Sequence, residues 1–353
     1  IFSDRQRYDT LSAYSNDWIQ TPNLNDLAKQ SIVFENCYVT QPVCAPARSS
    51  IMTGLYPHAA GVPRNKISMP TSIQTIAQMV TDDYQKGYFG KWHLGNDTER
   101  QRGFDDWISV VDDLWSMSNK SHKTSNYHKF LVDKGFEPDN NTPHGKIFSG
   151  EMRANLPAEY QISSFLSEQA KHFIHRNSKN PFVLYVSMIE PHPPFTGPYN
   201  HLYDPELLPV DPSFLKPPIG HSLFNRLRSE YFMKGEFDGH DLSSELGWRR
   251  LRSNYMANIT LVDDAVGKIL QAIDDSGQSS NTIVVFTSEH GDMVGSHAML
   301  EMRTFYEAAS RVPFLIKVPW LNNGSRKISG NFGQIDLVPT LLDLMEQTVP
   351  GHI

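Results

Sequence analysis

Phe182-Val183-Leu184-Tyr185-Val186-Ser187-Met188 is apolar at nearly every position. A strand with one wet face alternates apolar and polar residues. A run without that alternation is covered on both faces, as strands of parallel sheets are. Thr282-Ile283-Val284-Val285-Phe286-Thr287 repeats the pattern, and Phe314-Leu315-Ile316-Lys317-Val318, stopped by Pro319, is a third candidate. Between the first two runs, Tyr255, Ile259, Val262, Val266, Ile269, Leu270 and Ile273 recur at spacings of three and four, which predicts one face of a helix. Further helices are predicted from Ser163 to Arg176 and from Ile335 to Met345. Strand and helix in alternation predict a doubly wound α/β sheet. Ile1-Phe2-Ser3-Asp4 reads as the end of another strand, whose beginning is expected before Ile1.

The 353 residues suffice for a substantial core and, on length alone, for about two domains. With 39% hydrophobic and 20% charged residues, general disorder is excluded. Lys and Arg number 32 against 39 Asp and Glu, a formal charge of −7. That balance argues against a nucleic-acid-binding surface, which needs a basic face. No apolar run approaches ~18 residues, so no membrane-spanning helix is expected. Cys37 and Cys44 are the only cysteines, too few for a disulfide scaffold; they could pair or stay free. Two stretches lack clear periodicity and read as surface excursions, from Asp112 to Thr142 and from Phe195 to Asp241. There is no internal repeat.

In open parallel sheets ligands bind beyond the carboxyl ends of the strands. Asp4 follows the first strand, Glu190-Pro191-His192 the second and Glu289-His290-Gly291-Asp292 the third. Any one of these alone reads as a solvated loop. Together, a carboxylate next to a histidine and a carboxylate from a neighbouring strand could hold a divalent cation. The segment from Pro42 to Gly54 is sharper. Small residues and Pro46 just after Cys44 suit the opening of a helix. A helix N-terminus offers free N–H groups to an anion, and Arg48 adds a bidentate partner. Cys44 in isolation would read as a small buried hydrophobe.

Cys44-Ala45-Pro46-Ala47-Arg48 resembles the Cys-x-Pro-x-Arg signature of the formylglycine-dependent (type I) sulfatases of the alkaline phosphatase superfamily. Further segments fit the same family, in the same order: Tyr56-Pro57-His58, Tyr84 to Gly95 (containing Gly90-Lys91-Trp92-His93), Arg102-Gly103-Phe104-Asp105, Pro191 to Phe195, Glu289 to Asp292, Tyr306 to Pro313 and Asp336 to Leu342. The resemblance spans nearly the whole chain. It implies the alkaline-phosphatase-like fold, a mostly parallel central sheet flanked by helices. It implies that a maturation enzyme oxidises Cys44 to formylglycine, which is hydrated to a gem-diol. One diol oxygen would attack sulfur. Arg48 and Lys91 would hold the diol and neutralise sulfate, and His93 would take the proton as sulfate leaves. His192 would contact the sulfate and help protonate the leaving alkoxide. Asp4, Cys44, Glu289 and His290 would bind the metal, normally Ca2+. Calcium prefers oxygen ligands, so a cysteine among carboxylates makes sense once its side chain carries oxygen. A metal with Arg and Lys around one anion also suits sulfuryl transfer, which needs charge neutralisation above all.

Four departures stand out. Many members carry two adjacent aspartates where this chain has Asp4-Arg5. The usual Asp-His-Gly or Asp-Asn-Gly reads Glu289-His290-Gly291. A sulfate-binding lysine is replaced by Met302, with Arg303 beside it. Asp83 and Lys86 replace a small-residue pair in the second signature.

The resemblance implies hydrolysis of a sulfate ester, with a sulfated carbohydrate as first choice of substrate. His58, His297 and Arg303 are candidate substrate contacts, with Arg64 and His201 as further ones. Trp107, Trp115, Tyr199, Tyr203 and Trp248 either stack on sugar rings or, as is favoured for most, pack the excursions. Two alternatives remain: a phosphonate monoester or phosphodiester hydrolase with the same nucleophile, and a non-catalytic sulfated-glycan-binding relative. An external glycan substrate implies the periplasm or the exterior. Sequons begin at Asn96, Asn119, Asn140, Asn258 and Asn323, and the one at Asn258 falls inside a predicted helix. The motifs fill residues 1–353 as one catalytic domain, and the smaller C-terminal subdomain usual in the family is expected to be absent. The chain is therefore expected to be the core of a longer protein.

Overall fold

The computed structural model describes residues 1–112, 123–143, 145–321 and 324–353. Trp115 and the sequon residues Asn119 and Asn323 lie outside the described residues. The main sheet contains β1 (Phe2–Ser3), β2 (Ile32–Tyr38), β3 (Gln85–Gly90), β4 (Asp106–Ser109), β5 (Phe182–Ser187), β6 (Val284–Ser288), β7 (Arg311–Val312), β8 (Phe314–Lys317) and β9 (Arg326–Gly333). Strands β6, β1, β5, β3 and β4 lie side by side and all parallel. Strand β8 closes on β6 in antiparallel register, Val284 opposite Lys317 and Thr287 opposite Phe314. The apolar run of β8 thus reports two covered faces but not the strand's direction. Strand β2 continues from β8, also antiparallel, and pairs in parallel with β9.

Alternation along β5 explains why its sequence is apolar throughout. Val183 and Tyr185 join one apolar layer while Leu184 and Val186 join the other. The Leu184 side is covered by α3 (Ile162–Arg176) through Phe165, Leu166 and Phe173, and by α5 (Glu245–Asp275) through Val262, Val266 and Ile269. Leu24 and Leu27 of α1 (Pro22–Lys29) add to it. The Val183 side is covered by α2 (Cys44–Thr53) through Ile51 and Met52, and by α6 (Leu337–Leu344) through Leu337, Val338 and Leu342. Helices on both faces of a mostly parallel sheet make a doubly wound α/β fold. Helix α5 starts well before the periodic stretch, capped by the Ser244 hydroxyl.

The excursion from 195 to 241 is not featureless. It contains α4 (Leu223–Phe232) and a short hairpin pairing Phe237 with His240. It packs Phe195, Tyr203, Leu208, Phe214 and Phe232 with Trp248 and Tyr255 of α5 into a third apolar cluster. Trp248 and Tyr203 are buried there, Tyr199 donates to Asp264, and Trp107 stacks on Tyr88 with ring centroids 5.0 Å apart. These aromatics are packing residues. Asn258 is buried in α5 and donates to the Phe195 carbonyl, so its sequon is incidental. Among the described residues no helix is long and apolar enough to cross a membrane. Cys37 and Cys44 are both free and buried.

Candidate active site

Strand direction sets the site. The carboxyl ends of β1, β6, β5 and β3 open on one edge of the sheet, and the chain leaves them as Asp4-Arg5, Glu289-His290, His192 and Lys91-Trp92-His93. Helix α2 begins there with Cys44 at its first position, so its free N–H groups face the same edge. Ligand atoms of Asp4, Cys44, Glu289 and His290 lie within 4.8 Å of one another, and all four residues are buried. His290 Nε2 is 3.3 Å from Cys44 Sγ and 3.1 Å from Glu289 Oε1. Its Nδ1 is 2.8 Å from the Gly291 carbonyl, which can only accept, so Nδ1 carries a proton and Nε2 is the ring atom that would bind a cation once its own proton is displaced.

The charges show what this cluster needs. Burial works against the His290 imidazolium, yet Cys44 and Glu289 overcome it and raise its pKa to about 10. Asp4 Oδ1 and both Glu289 carboxylate oxygens are buried without an aligned hydrogen bond among the described residues. Two buried carboxylates, an imidazole and one further side chain turned on a common point fit a divalent cation. The thiol is the poor member of that set until it carries oxygen.

Cations ring the cluster. Lys91 Nζ sits 2.5 Å from Asp4 Oδ2, and burial, which opposes its charge, is outweighed mainly by that carboxylate. Burial likewise opposes the Asp4 charge, and Lys91, His192, Glu289 and Arg48 together hold its pKa well below the usual carboxylate range. Arg48 pairs with Glu289 through Nε and lies 3.7 Å from Asp4 through Nη2. Its Nη1 donates to the Lys91 carbonyl and to Ser187 Oγ. Tyr88 Oη and Ser187 Oγ also donate to that carbonyl, which pins Lys91 in place. The turn itself requires Gly90: its φ is +122°, and a Cβ there would come within 1.9 Å of the Ser187 carbonyl oxygen. Beyond it, Asp97 accepts from the backbone of Trp92 at 2.7 Å and of His93 at 3.3 Å. Burial raises the Asp97 pKa to about 6. Burial, with Lys91 and Arg48, lowers that of His93 to about 3, and His93 Nδ1 is buried without a partner among the described residues.

His192 Nδ1 lies 2.8 Å from the Pro193 carbonyl, so that nitrogen carries the proton and Nε2 looks into the site. Burial and the neighbouring Arg5 hold its pKa well below that of a free histidine. The other expected contacts divide. His297 is half-buried and stacks on Tyr306 with centroids 4.2 Å apart, and Tyr306 Oη is 2.8 Å from His221 Nδ1. Arg303 is exposed and meets the Cys44 loop through its backbone, whose N–H donates to the Pro42 carbonyl at 3.0 Å. Its side chain enters none of the ion pairs among the described residues. Met302 is buried in the third apolar cluster and contributes no charge. His58 is exposed and stacks on Tyr56. Sequence alone does not single out Asp97, Ser187 or Arg5 as site residues; the placement of Asp97 and Arg5 next to motif residues is the available signal.

A mostly parallel α/β sheet with a buried cluster that could hold a divalent cation, a cysteine at a helix N-terminus and three close cations fits a hydrolase acting on tetrahedral oxyanion esters. The Sulfatase family model matches residues 1–347. The chain belongs to the Sulfatase family, a family of sulfuric ester hydrolases. It is 29% identical over 367 residues to the ulvan-active sulfatase of Formosa agariphila, covering 100% of this chain and 62% of that protein. It is 25% identical over 397 residues to the N-acetylglucosamine-6-O-sulfatase of Bacteroides thetaiotaomicron, covering 100% of this chain and 68% of that one. The phosphonate monoester hydrolase of Silicibacter pomeroyi shares the fold, with TM-score 0.79 and 23% identity over 99% of this chain and 73% of that one.

Proposed function

We propose that this chain hydrolyses sulfate esters of carbohydrates, using an oxygen nucleophile made by oxidising Cys44 to formylglycine. The observation that carries the reading is the position of Cys44, inside a carboxylate and imidazole cluster and at the N-terminus of α2. Family membership and the two sulfatases named above support the substrate class. The chain spans only 62% of the ulvan-active relative, so the activity and substrate of the whole protein belong to this proposal.

A bound cation and the oxidised side chain at position 44 supply the Lewis acid and the nucleophile. Ca2+ is the proposed ion, held by Asp4, Glu289, His290 and residue 44. Arg48 and Lys91 neutralise the sulfate group. Both are buried, so their charges act with little solvent screening. Asp97 fixes the backbone of His93, which receives the proton released as sulfate departs. His192 presents Nε2 to the leaving-group side, where it passes a proton to a poor alkoxide only after the bound anionic sulfate group has favoured its imidazolium form. The maturation enzyme of the host is the implied partner. A panel of aryl sulfate, aryl phosphonate and aryl phosphodiester tests the reading. The proposal predicts the highest kcat/KM for the sulfate; a preference for phosphorus by orders of magnitude would overturn it.

A further inference from the structure

Arg5 directly follows the metal-cluster residue Asp4, a position where a cation would compete with a bound metal. The chain turns there in the left-handed region, with φ 71°. That turn is locked: Tyr255 Oη donates to the Arg5 carbonyl at 2.7 Å and receives the Arg7 N–H at 2.9 Å. From that turn the guanidinium reaches Asp292 and His192. Nη1 pairs with Asp292 Oδ2 at 3.0 Å, and Asp292 is completely buried. Nη2 lies 3.4 Å from His192 Nε2 and 4.0 Å from Glu301, which Arg228 also pairs at 3.5 Å. Nε is buried and has no partner among the described residues. Arg5 itself is only 5% exposed.

A guanidinium has five N–H donors and cannot give up its charge. Asp292 engages one edge only. Arg48 and Lys91 also face the carboxylates of Glu289 and Asp4, which draw on their charge. Arg5 is a further cation of the site with donors to spare. A buried unpaired donor is costly, and a bound oxyanion removes that cost.

We propose that Arg5 is an anion-binding residue of the active site, whose Nη2 and Nε edge takes an oxygen of the substrate's sulfate group beside His192. This rests on the sulfate-ester reading above. Asp292 is then a positioning residue, orienting the guanidinium from behind.

The test is equilibrium binding of inorganic sulfate to the metal-loaded, full chain by calorimetry, with metal content and melting temperature measured on the same samples. Arg5→Gln should weaken sulfate binding by about 10- to 100-fold, as loss of a charge-assisted hydrogen bond does. Metal content should not change, because Arg5 contributes no metal ligand. Arg5→Lys, which keeps the charge but loses the second donor edge, should fall between Arg5→Gln and wild type. Asp292→Asn should weaken sulfate binding less than Arg5→Gln does. Sulfate affinity equal to wild type in Arg5→Gln, with only the melting temperature lowered, would reduce Arg5 to a structural ion pair. If Arg5→Gln does not fold, wild-type affinity in Arg5→Lys would equally reduce Arg5 to that structural role. A wild-type protein that neither binds sulfate nor hydrolyses any sulfate ester would sink the site reading itself, and Arg5 with it.

Discussion

Replacing Arg48 with lysine probes the charge network at its most connected point. The guanidinium holds the Lys91 carbonyl and Ser187 through Nη1, Glu289 through Nε, and faces Asp4 with Nη2. A lysine ammonium is a compact point charge and reaches one side of this arrangement. The Lys91 carbonyl keeps Tyr88 Oη and Ser187 Oγ, so nothing is orphaned there. The loss falls on the carboxylate and substrate side, about one charge-assisted hydrogen bond or ~1.5–3 kcal/mol. At 1.36 kcal/mol per decade this lowers kcat/KM by about 10- to 150-fold. Arg48→Ala goes further and leaves Glu289 buried with His290 alone beside it, at a cost of up to ~3–5 kcal/mol of stability in metal-free protein. The assay is steady-state hydrolysis of an aryl sulfate, normalised to the formylglycine content of each preparation by mass spectrometry. That normalisation matters because Arg48 lies within the signature that the proposed maturation enzyme would read. Activity of Arg48→Lys within a few-fold of wild type, at equal formylglycine content, would refute the reasoning.

Other consequences are equally specific. Gly90→Ala should give little folded protein on expression, because its Cβ would overlap the Ser187 carbonyl and φ is positive; a wild-type melting temperature would contradict this. Burial opposes the Asp211 charge, but Arg7 and Arg252 hold its pKa far below that of a free aspartate. Its folded pKa being the lower one, the stability it contributes is present above pH ~4 and lost as pH falls below that. Urea unfolding of Asp211→Asn should therefore show lower stability at neutral pH and a flatter acid limb. Chelation should lower the melting temperature, since an ion held by Asp4, Glu289 and His290 binds the folded chain alone and stabilises it by mass action, and calcium should restore it.

The fold is legible where side-chain pattern alone carries the information. The unbroken apolar runs of β5 and β6 exist because both sheet faces are covered, and the carboxyl ends of those strands point to His192, Glu289 and His290. The antiparallel direction of β8 is hidden, since two covered faces look the same in either direction. Helix α4 does carry Leu223, Phe224, Leu227 and Tyr231 at helical spacing, but the stripe is short, faces outward and sits between Pro- and Gly-rich segments that read as surface excursion. The cluster of Asp4, Cys44, Glu289 and His290 is readable because each residue sits in a local motif. The orientation of Arg5 is not, because it depends on Asp292 and Tyr255, which meet it only in the folded chain. Arg303 shows the opposite: adjacent to the expected position in sequence, it leaves its side chain exposed.

The proposed chemistry turns on Cys44, and release of inorganic sulfate from a panel of defined sulfated oligosaccharides, by wild type and Cys44→Ala side by side, tests it most directly. Both proteins should be co-produced with a maturation enzyme and shown to be folded and metal-loaded. Wild type carrying formylglycine at position 44 should release sulfate, and Cys44→Ala should release none. Equal release by the two proteins, or no release from the whole panel by fully oxidised wild type, would contradict the role given to Cys44.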